Sequence, residues 1–453
     1  MPARASAADR DGALFSAASP APAYAFYPTT HALSDDIGAE DYRQALEHSN
    51  AAARPLALYV HLPFCRQACF HCTRQPVITS DTRLPESYLS RLDREMVLIR
   101  RHLDPAREVR SLHWGGGTPT FLGLNQLSDL IDRLDARFRL ASDRGREYLV
   151  EIDPREADVL TLRHLEALGF NRLSLEVLDL DPEVQQAINR IQGRGLTEQL
   201  IDEAERLGFH SVNLDLIIGL PRQTRDGFTA TLAQVIAMAP ERLSLFHYRH
   251  HPERFPIQRH IRIAELPGPQ ETLAMMDTAY RMLAAAGYVH LGRERFARSD
   301  DRLTKDRLAG RKCERHDLLG LGVTAVSRLE DLHVRNPLTL EAYEAALDQG
   351  RLATAAGHRL SLDDRLRGAA IETLMSELTL DLAALGDAFD LDAEAHLAEP
   401  LWRLAVAERE GLVERQDQRL LVTAKGRLLV RQLATAFDAY PLTPLPRQSS
   451  HAS

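Results

Sequence analysis

Cysteine is scarce in this sequence: Cys65, Cys69, Cys72 and Cys313 are the only four among 453 residues. That scarcity excludes a disulfide-stapled secreted scaffold, in which the chain is short and cysteine is dense. A run of about 18 apolar residues is also lacking, so no membrane span is expected. The opening "MPARASAADRDGALFSAASPAPA" has no apolar stretch of signal-peptide length, and a reducing, cytoplasmic setting is expected. A basic excess is missing too. Lys and Arg number 55 against 64 Asp and Glu, a net charge of -9, which argues against a nucleic-acid partner. The few aromatic residues form no stacking pattern for single strands, and Trp114 reads as core.

Against that scarcity, three of the four cysteines fall in "HLPFCRQACFHCTRQ" (His61–Gln75), spaced C-x3-C-x2-C. In a reducing compartment clustered thiols indicate metal or redox chemistry. Two readings are open. A structural zinc needs four ligands, and His71 is the available fourth, although it lies between Cys69 and Cys72 and its ring must bend back sharply to join them. An iron–sulfur cluster held by three thiolates instead keeps one iron open for an external ligand. Cys313 reads as a packing residue.

Periodicity predicts a repeating plan. "LALYVHL" (Leu56–Leu62), "RSLHW" (Arg110–Trp114), "EYLVEI" (Glu147–Ile152), "NRLSLEV" (Asn171–Val177), "SVNLDLII" (Ser211–Ile218) and "RLSLFHY" (Arg242–Tyr248) read as strands. Helical patterns separate them, and two of these end in Leu-Gly-Phe, with glycine placed as a C-terminal cap. Six strand–helix units imply an α/β fold with a parallel sheet, either a closed or partly closed barrel or a doubly wound open sheet. The unusual residues cluster at the C-terminal strand ends. These are the cysteine loop, "GGGTPT" (Gly115–Thr120), "EIDPRE" (Glu151–Glu156), Glu176 and Asp179, Asp215, and His247. In barrels that rim carries the chemistry.

C-x3-C-x2-C after a first barrel strand resembles the signature of radical S-adenosylmethionine enzymes, and "GGGTPT" resembles their glycine-rich stretch, which contacts the methionine amine. The likeness extends further. "YVHLPFC", "LHWGGGTPT", "EIDPRE", "GFNRLSLEVLD", "INRIQ", "NLDLIIGLPRQT", "FARSDD", "DLLGLGV" and "VTAKGRLL" resemble, in order, landmarks of the oxygen-independent coproporphyrinogen III oxidase family over roughly residues 27 to 440. The resemblance implies an incomplete (β/α)6 barrel over residues 27–358, with N-terminal and substrate-side extensions. It further implies a small, mainly helical, winged-helix-like C-terminal domain over 359–440, in a lid or scaffold role. Segments 1–26 and 441–453 are expected to lack fixed structure. The implied cofactors are a 4Fe–4S cluster on Cys65, Cys69 and Cys72 and S-adenosylmethionine. Carried over by position, Tyr59, Gly116 and Glu151 contact the cluster-bound S-adenosylmethionine. Gly117, Thr118, Arg190 and Asp215 line a neighbouring pocket, where the family places a second one. His71, Arg249 and Val326 fall at further contact positions. The implied partners are a tetrapyrrole substrate and a one-electron donor such as flavodoxin or ferredoxin, acting on a monomer.

The sequence departs from the family at the same pocket. The family's Cys-Gly-Cys-Asn is Cys72-Thr73-Arg74-Gln75 here, and its Gly-Val-Gln-Asp is Glu176-Val177-Leu178-Asp179, so a cation replaces a cysteine and Leu178 a hydrogen-bonding glutamine. "PAYAFYPT" lacks the arginine and Thr-Ser of the corresponding family stretch. "HYRHHPERF" (His247–Phe255), "GRERFAR" (Gly292–Arg298) and Arg74 supply cations for substrate carboxylates. The implied reaction is oxidative decarboxylation of coproporphyrinogen III to protoporphyrinogen IX. The alternatives are a haem or tetrapyrrole carrier and a different radical enzyme acting on a tetrapyrrole.

Overall fold

The computed structural model describes residues 15–16, 21–302, 304–305 and 316–440. Two compact units emerge. One runs from Ser34 to Arg359, and the other joins the chain up to Leu33 with the chain from Leu360 onward.

In the larger unit, six strands follow one another: β1 (Leu56–Leu62), β2 (Glu108–Gly116), β3 (Glu147–Ile152), β4 (Arg172–Leu178), β5 (Ser211–Ile218) and β6 (Arg242–His247). They pair in sequence order, all parallel. Six further strands extend the sheet at its two sides: β7 (Tyr288–His290), β8 (Arg295–Arg298), β9 (Asp317–Leu321), β10 (Val326–Arg328), β11 (Leu332–Arg335) and β12 (Ala356–Arg359), and a two-residue strand, Arg139–Leu140, pairs in parallel with the start of β2. The β7–β8 pair adds antiparallel to β6. On the far side β9 joins β1 in parallel, and β10 to β12 continue antiparallel. Among the described residues no ladder joins β6 to β1, so the sheet is open and the barrel incomplete.

The helices are α1 (Ala39–Ser49), α2 (Leu84–Arg100), α3 (Leu124–Arg137), α4 (Val159–Ala167), α5 (Pro182–Ala187), α6 (Arg194–Leu207), α7 (Arg225–Ala237), α8 (Pro269–Ala285) and α9 (Leu340–Asp348). Helices α4 and α6 end in the expected glycines: Gly169 at φ 94° and Gly208 at φ 78° adopt the left-handed conformation that a side chain resists.

The strands alternate, and the two sheet faces differ in kind. Leu58, Val60, Leu112, Trp114, Val150, Leu173, Leu175, Leu214, Leu216 and Leu243 are buried. Burying each such side chain contributes roughly 1.5–3 kcal/mol. Tyr59, His113, Glu151, Ser174, Asn213, Asp215 and Ser244 occupy the intervening positions and hydrogen-bond or stack with one another. A parallel sheet covered equally on both faces has near-continuous apolar strands. The polar alternate face marks the side on which a site is built.

The second unit holds α10 (Leu362–Glu377), α11 (Leu382–Phe389), α12 (Ala393–His396) and α13 (Ala398–Arg409), with a three-stranded antiparallel sheet of Thr379–Asp381, Arg419–Val422 and Val413–Gln416. This helix-plus-wing arrangement accords with the winged-helix expectation. The expectation for segment 1–26 needs correction. Phe15 and Tyr24 are buried in this unit's core beside Leu366, Ile371, Leu374 and Phe437. The Tyr24 hydroxyl donates to Asp438 at 2.8 Å. Two aromatic side chains anchor a segment whose Ala, Ser and Pro content suggested none, and the chain up to Leu33 belongs with this unit rather than with the barrel. The remaining residues of 1–20, and 441–453, lie outside the described residues, as does Cys313.

One buried carboxylate fixes the β1 edge. Glu95 on α2 accepts from Gly322 N–H at 2.7 Å, Asn336 at 2.6 Å and the Tyr343 hydroxyl at 2.8 Å. It thereby ties α2 to α9 and to the turns after β9 and β11. Neighbouring Tyr88 accepts from Val323 N–H and donates to the His61 carbonyl at 2.7 Å, just ahead of the cysteine loop. Burial raises the Glu95 carboxyl to about 7, against the lowering effect of its three donors. Because the folded value lies above the ordinary 4.5, its contribution to stability is fully present below that pH and is lost as pH rises through about 7. Glu95→Gln is therefore expected to lose less stability than the unmodified protein between pH 5 and 8, a difference of a few degrees in Tm by thermal denaturation. Identical pH profiles for the two proteins would contradict this assignment.

Candidate functional site

The cysteine loop leaves β1 at Pro63. A two-residue strand, Phe64–Cys65, pairs in parallel with Val77–Ile78 and closes the loop at its base. Its far end is held from three sides. Phe70 N–H donates to Ile188 O at 2.9 Å, and Asn189 donates to Ala68 O at 2.8 Å. Gln258 reaches the carbonyls of His71, Cys72 and Arg249 at 3.2, 3.3 and 3.1 Å. Gln258 is fully buried and was not singled out from the sequence, where a lone glutamine carries no pattern.

Cys65, Cys69 and Cys72 are free thiols, each partly exposed. Burial pushes the Cys65 and Cys72 thiols upward. Cys69 faces cations: Arg155 lies 3.3 Å and Arg190 3.7 Å from its Sγ. Both guanidiniums also grip the Asp153 carboxylate, each at 2.7 Å. Arg190 additionally donates to the Glu176 carbonyl at 2.7 Å. Among the described residues, no three or more His, Cys, Asp or Glu side chains are grouped to hold a single metal ion, His71 included. Burial depresses His71 to about 3, leaving it neutral, and its Nδ1 is buried without a hydrogen-bond partner.

The glycine run after β2 packs directly against this loop. Gly117 N–H donates to Leu62 O at 2.7 Å and Thr118 N–H to Phe64 O at 2.9 Å, which joins the two loops through their backbones. A Cβ at Gly117 would lie 2.4 Å from Phe64 O, and one at Gly115 2.6 Å from Glu151 Oε2. Gly116, at φ 116°, lies against the His61 ring. The glycines at 115 and 117 are thus required by contacts within the protein.

Glu151 is the centre of this side. Its Oε1 meets His113 Nε2 at 3.0 Å, and its Oε2 accepts from Arg74 at 3.1 Å and from Gly116 N–H at 3.4 Å. Arg74 also donates to the Gly116 carbonyl. Burial tends to raise the Glu151 carboxyl, but the Arg74 cation and the His113 hydrogen bond outweigh it and hold it well below the usual carboxylate range. Tyr59 packs edge-on to His113 at 5.1 Å and meets His61 Nδ1 at 3.3 Å. Val326 is close by, because its backbone fills the space beside Gly320, the β9 partner of Tyr59. Thr118 is buried, 3.2 Å from the Thr120 hydroxyl. Further along, Asp215 accepts from Ser174 at 2.8 Å and Asn213 at 2.7 Å. Burial raises Asp215 to about 6 and Glu176 to about 7.

The structure therefore gathers Tyr59, Cys65, Cys69, His71, Cys72, Gly116, Gly117, Thr118, Glu151, Arg190, Arg249 and Val326 around one loop system, with Asp215 on the same polar face. One reading from the rim needs correction. Asp179 is fully buried and accepts from Gln223 at 2.7 Å and from Thr231, so it fixes the turn after β4. Leu178 adopts φ 68° and packs with Val184, Ile188 and Leu220. Arg155, Asp153 and His113 went unassigned in the sequence; their strand-end positions in "EIDPRE" and "LHWGGG" were the available clue.

Two family models match the chain, the Radical SAM superfamily over residues 59–235 and the HemN C-terminal domain over residues 360–429. The oxygen-independent coproporphyrinogen III oxidase of Pseudomonas aeruginosa is 42% identical over 437 residues, covering 94% of this chain and 95% of that protein. The enzyme of the same name from Escherichia coli is 39% identical, covering 92% and 93%. The solved structure of the Escherichia coli coproporphyrinogen III oxidase, described as a radical SAM enzyme, superposes with a TM-score of 0.87 over 92% of this chain and 97% of its own, at 38% identity. With the thiol loop, the glycine run and the open six-stranded barrel in the same order, the chain belongs to the oxygen-independent coproporphyrinogen III oxidases of the radical SAM superfamily.

Proposed function

We propose that this chain carries out the oxidative decarboxylation of coproporphyrinogen III to protoporphyrinogen IX, converting two propionate side chains to vinyl groups with loss of CO2. The carrying observation is a three-thiol loop whose Cys69 faces Arg155 and Arg190, joined through backbone hydrogen bonds to a glycine run beside the Glu151 carboxylate.

The residues fit the two cofactors of the family. In a 4Fe–4S cluster the three thiolates bind separate irons, so Cys65, Cys69 and Cys72 need not converge on one atom. Deprotonated thiols and an anionic cluster need nearby cations, which Arg155 and Arg190 provide, already oriented by Asp153. Glu151 and the Gly116 carbonyl suit the N–H donors of the S-adenosylmethionine amino group, with Tyr59, Val326 and the backbone near His71 and Arg249 completing its surroundings. Gly117, Thr118, Arg190 and Asp215 form the neighbouring pocket. When bound, cluster and S-adenosylmethionine supply a 5′-deoxyadenosyl radical that takes hydrogen from a propionate. The protein's part is to hold the propionate close, keep water out and balance charge. The electron donor is a flavodoxin or ferredoxin, the working state is a monomer, and the setting is the cytoplasm, where the three thiols stay reduced. Among the described residues no helix is long and apolar enough to cross a membrane. The residue 359–440 domain serves as a lid or scaffold.

Protein reconstituted without oxygen should carry about four irons per chain, and Cys65→Ala, Cys69→Ala and Cys72→Ala should each lose them while Cys313→Ala keeps them. Iron and sulfide analysis checks this, and stoichiometric zinc in a colourless protein would overturn it. The reduced enzyme should form 5′-deoxyadenosine and release CO2 from coproporphyrinogen III. Glu151→Gln should slow both by about tenfold or more, the scale of one lost hydrogen bond to a charged group. Unchanged rates in that variant would remove Glu151 from the site.

A further inference from the structure

Strand β11 ends in Arg335, a residue that no sequence motif singled out. In the antiparallel ladder of β10 and β11, Arg335 pairs with Val326, so the two side chains stand on one face about 5 Å apart. Val326 itself lies on the polar side of the sheet. A Cβ at Gly320 would point to the side that carries Tyr59, its β1 partner, and would meet the Val326 carbonyl oxygen there at 2.5 Å. Arg254 comes to the same place from the other end of the open sheet. It lies in the segment after β6, just ahead of Gln258, which holds the carbonyls of His71 and Cys72. Burial and the nearby Arg254 cation both push the Arg335 guanidinium below its ordinary value.

These two cations lack the carboxylate that the buried arginines have. Arg107, Arg172 and Arg190 each grip an Asp or Glu. The acids nearest to Arg254 and Arg335 in the chain are committed elsewhere: Glu253 to His251 at 3.2 Å, Glu330 to Arg54 at 2.9 Å and Asp331 to Arg359 at 2.9 Å. Among the described residues no carboxylate pairs with either guanidinium. Arg335 Nε is buried without a hydrogen-bond partner, and Arg254 lies over the Phe255 ring at 5.4 Å. Packing two like charges together and leaving a buried N–H unpaired costs stability, and an anionic ligand offsets both. The planar fork of arginine matches a carboxylate with two parallel hydrogen bonds.

We propose that Arg335 and Arg254 bind propionate carboxylates of the tetrapyrrole at the open side of the barrel. The proposal rests on the function proposed above and names residues that hold its substrate. Coproporphyrinogen III carries propionates beyond those that react, and each is an anion at neutral pH. Gripping them beside Val326 and Gln258 orients the ring toward the thiol loop without placing a cation among the reacting groups.

The test is a binding titration of reconstituted, unreduced protein with coproporphyrin III, the oxidised ring with the same carboxylates, followed by its fluorescence. Arg335→Gln and Arg254→Gln should each bind it about tenfold more weakly than the unmodified protein, the scale of one hydrogen bond between charged groups. Arg335→Lys, which keeps the charge and loses the fork, should lose less. S-adenosylmethionine also carries a carboxylate, and its affinity by equilibrium dialysis should be the same in all four proteins. The two glutamine variants lie on separate segments, so if one fails to fold the other decides. Unchanged coproporphyrin III binding in the folded glutamine variants overturns the proposal, as does an equal loss for S-adenosylmethionine. Failure of the underlying functional reading is distinguishable, because then the unmodified protein itself releases no CO2 from coproporphyrinogen III.

Discussion

Two guanidiniums on one buried carboxylate set the charge of the thiol loop. Arg190 and Arg155 cannot both lie beside Cys69 without an anion between them, and Asp153, itself buried, is that anion. The dependence runs both ways, since the two cations are held out of bulk water by Asp153, by Glu176 at 3.6 Å from Arg190, and by the Cys69 sulfur they both face. Asp153 follows β3 and Arg190 follows α5, so this balance requires neighbouring strand–helix units to hold register at their C-terminal ends. Arg190 reinforces that register by donating to the backbone of β4 at Glu176. The chemistry of the cysteine loop is therefore inseparable from the parallel sheet beneath it.

The glycine run extends the same constraint across the sheet. Gly115 and Gly117 are small because Glu151 and the Phe64 backbone occupy the space a side chain would need. Their closeness brings a carboxylate, a backbone carbonyl and the base of the thiol loop together. Tyr88 and Glu95 hold the other side, fixing the His61 carbonyl and the β9 turn against β1. Cluster loop, glycine loop and β1 thus form one packed body, and the ligand-facing groups are positioned by contacts that have no ligand in them.

Much of this was legible in the sequence. Strands β1, β3 and β5 match their expected bounds, because apolar alternation under helices leaves a strong period-2 pattern. The glycine caps of α4 and α6 were readable for an equally local reason. Residue type and strand-end position coincide for the three cysteines and Glu151, which the fold brings to one loop system. What was not legible depends on three-dimensional proximity between distant segments. Asp179 has the residue type and place of a rim acid, yet Gln223 and Thr231 turn it into a buried structural group. Phe15 and Tyr24 sit in a stretch of disordered composition, yet they fill a core built almost entirely more than 300 residues later. Arg74 read as a cation for substrate carboxylates, and only the fold reveals that Glu151 and Gly116 already hold it.

The account stands on a cluster with one iron open to a ligand seated by the glycine run and Glu151. Electron paramagnetic resonance of the reduced, reconstituted protein with and without S-adenosylmethionine addresses that claim most directly. A reduced 4Fe–4S signal whose g-values shift on addition of S-adenosylmethionine is the predicted result, since a ligand on the open iron alters the cluster electronically. A reduced cluster whose spectrum is unaffected at saturating S-adenosylmethionine would contradict it.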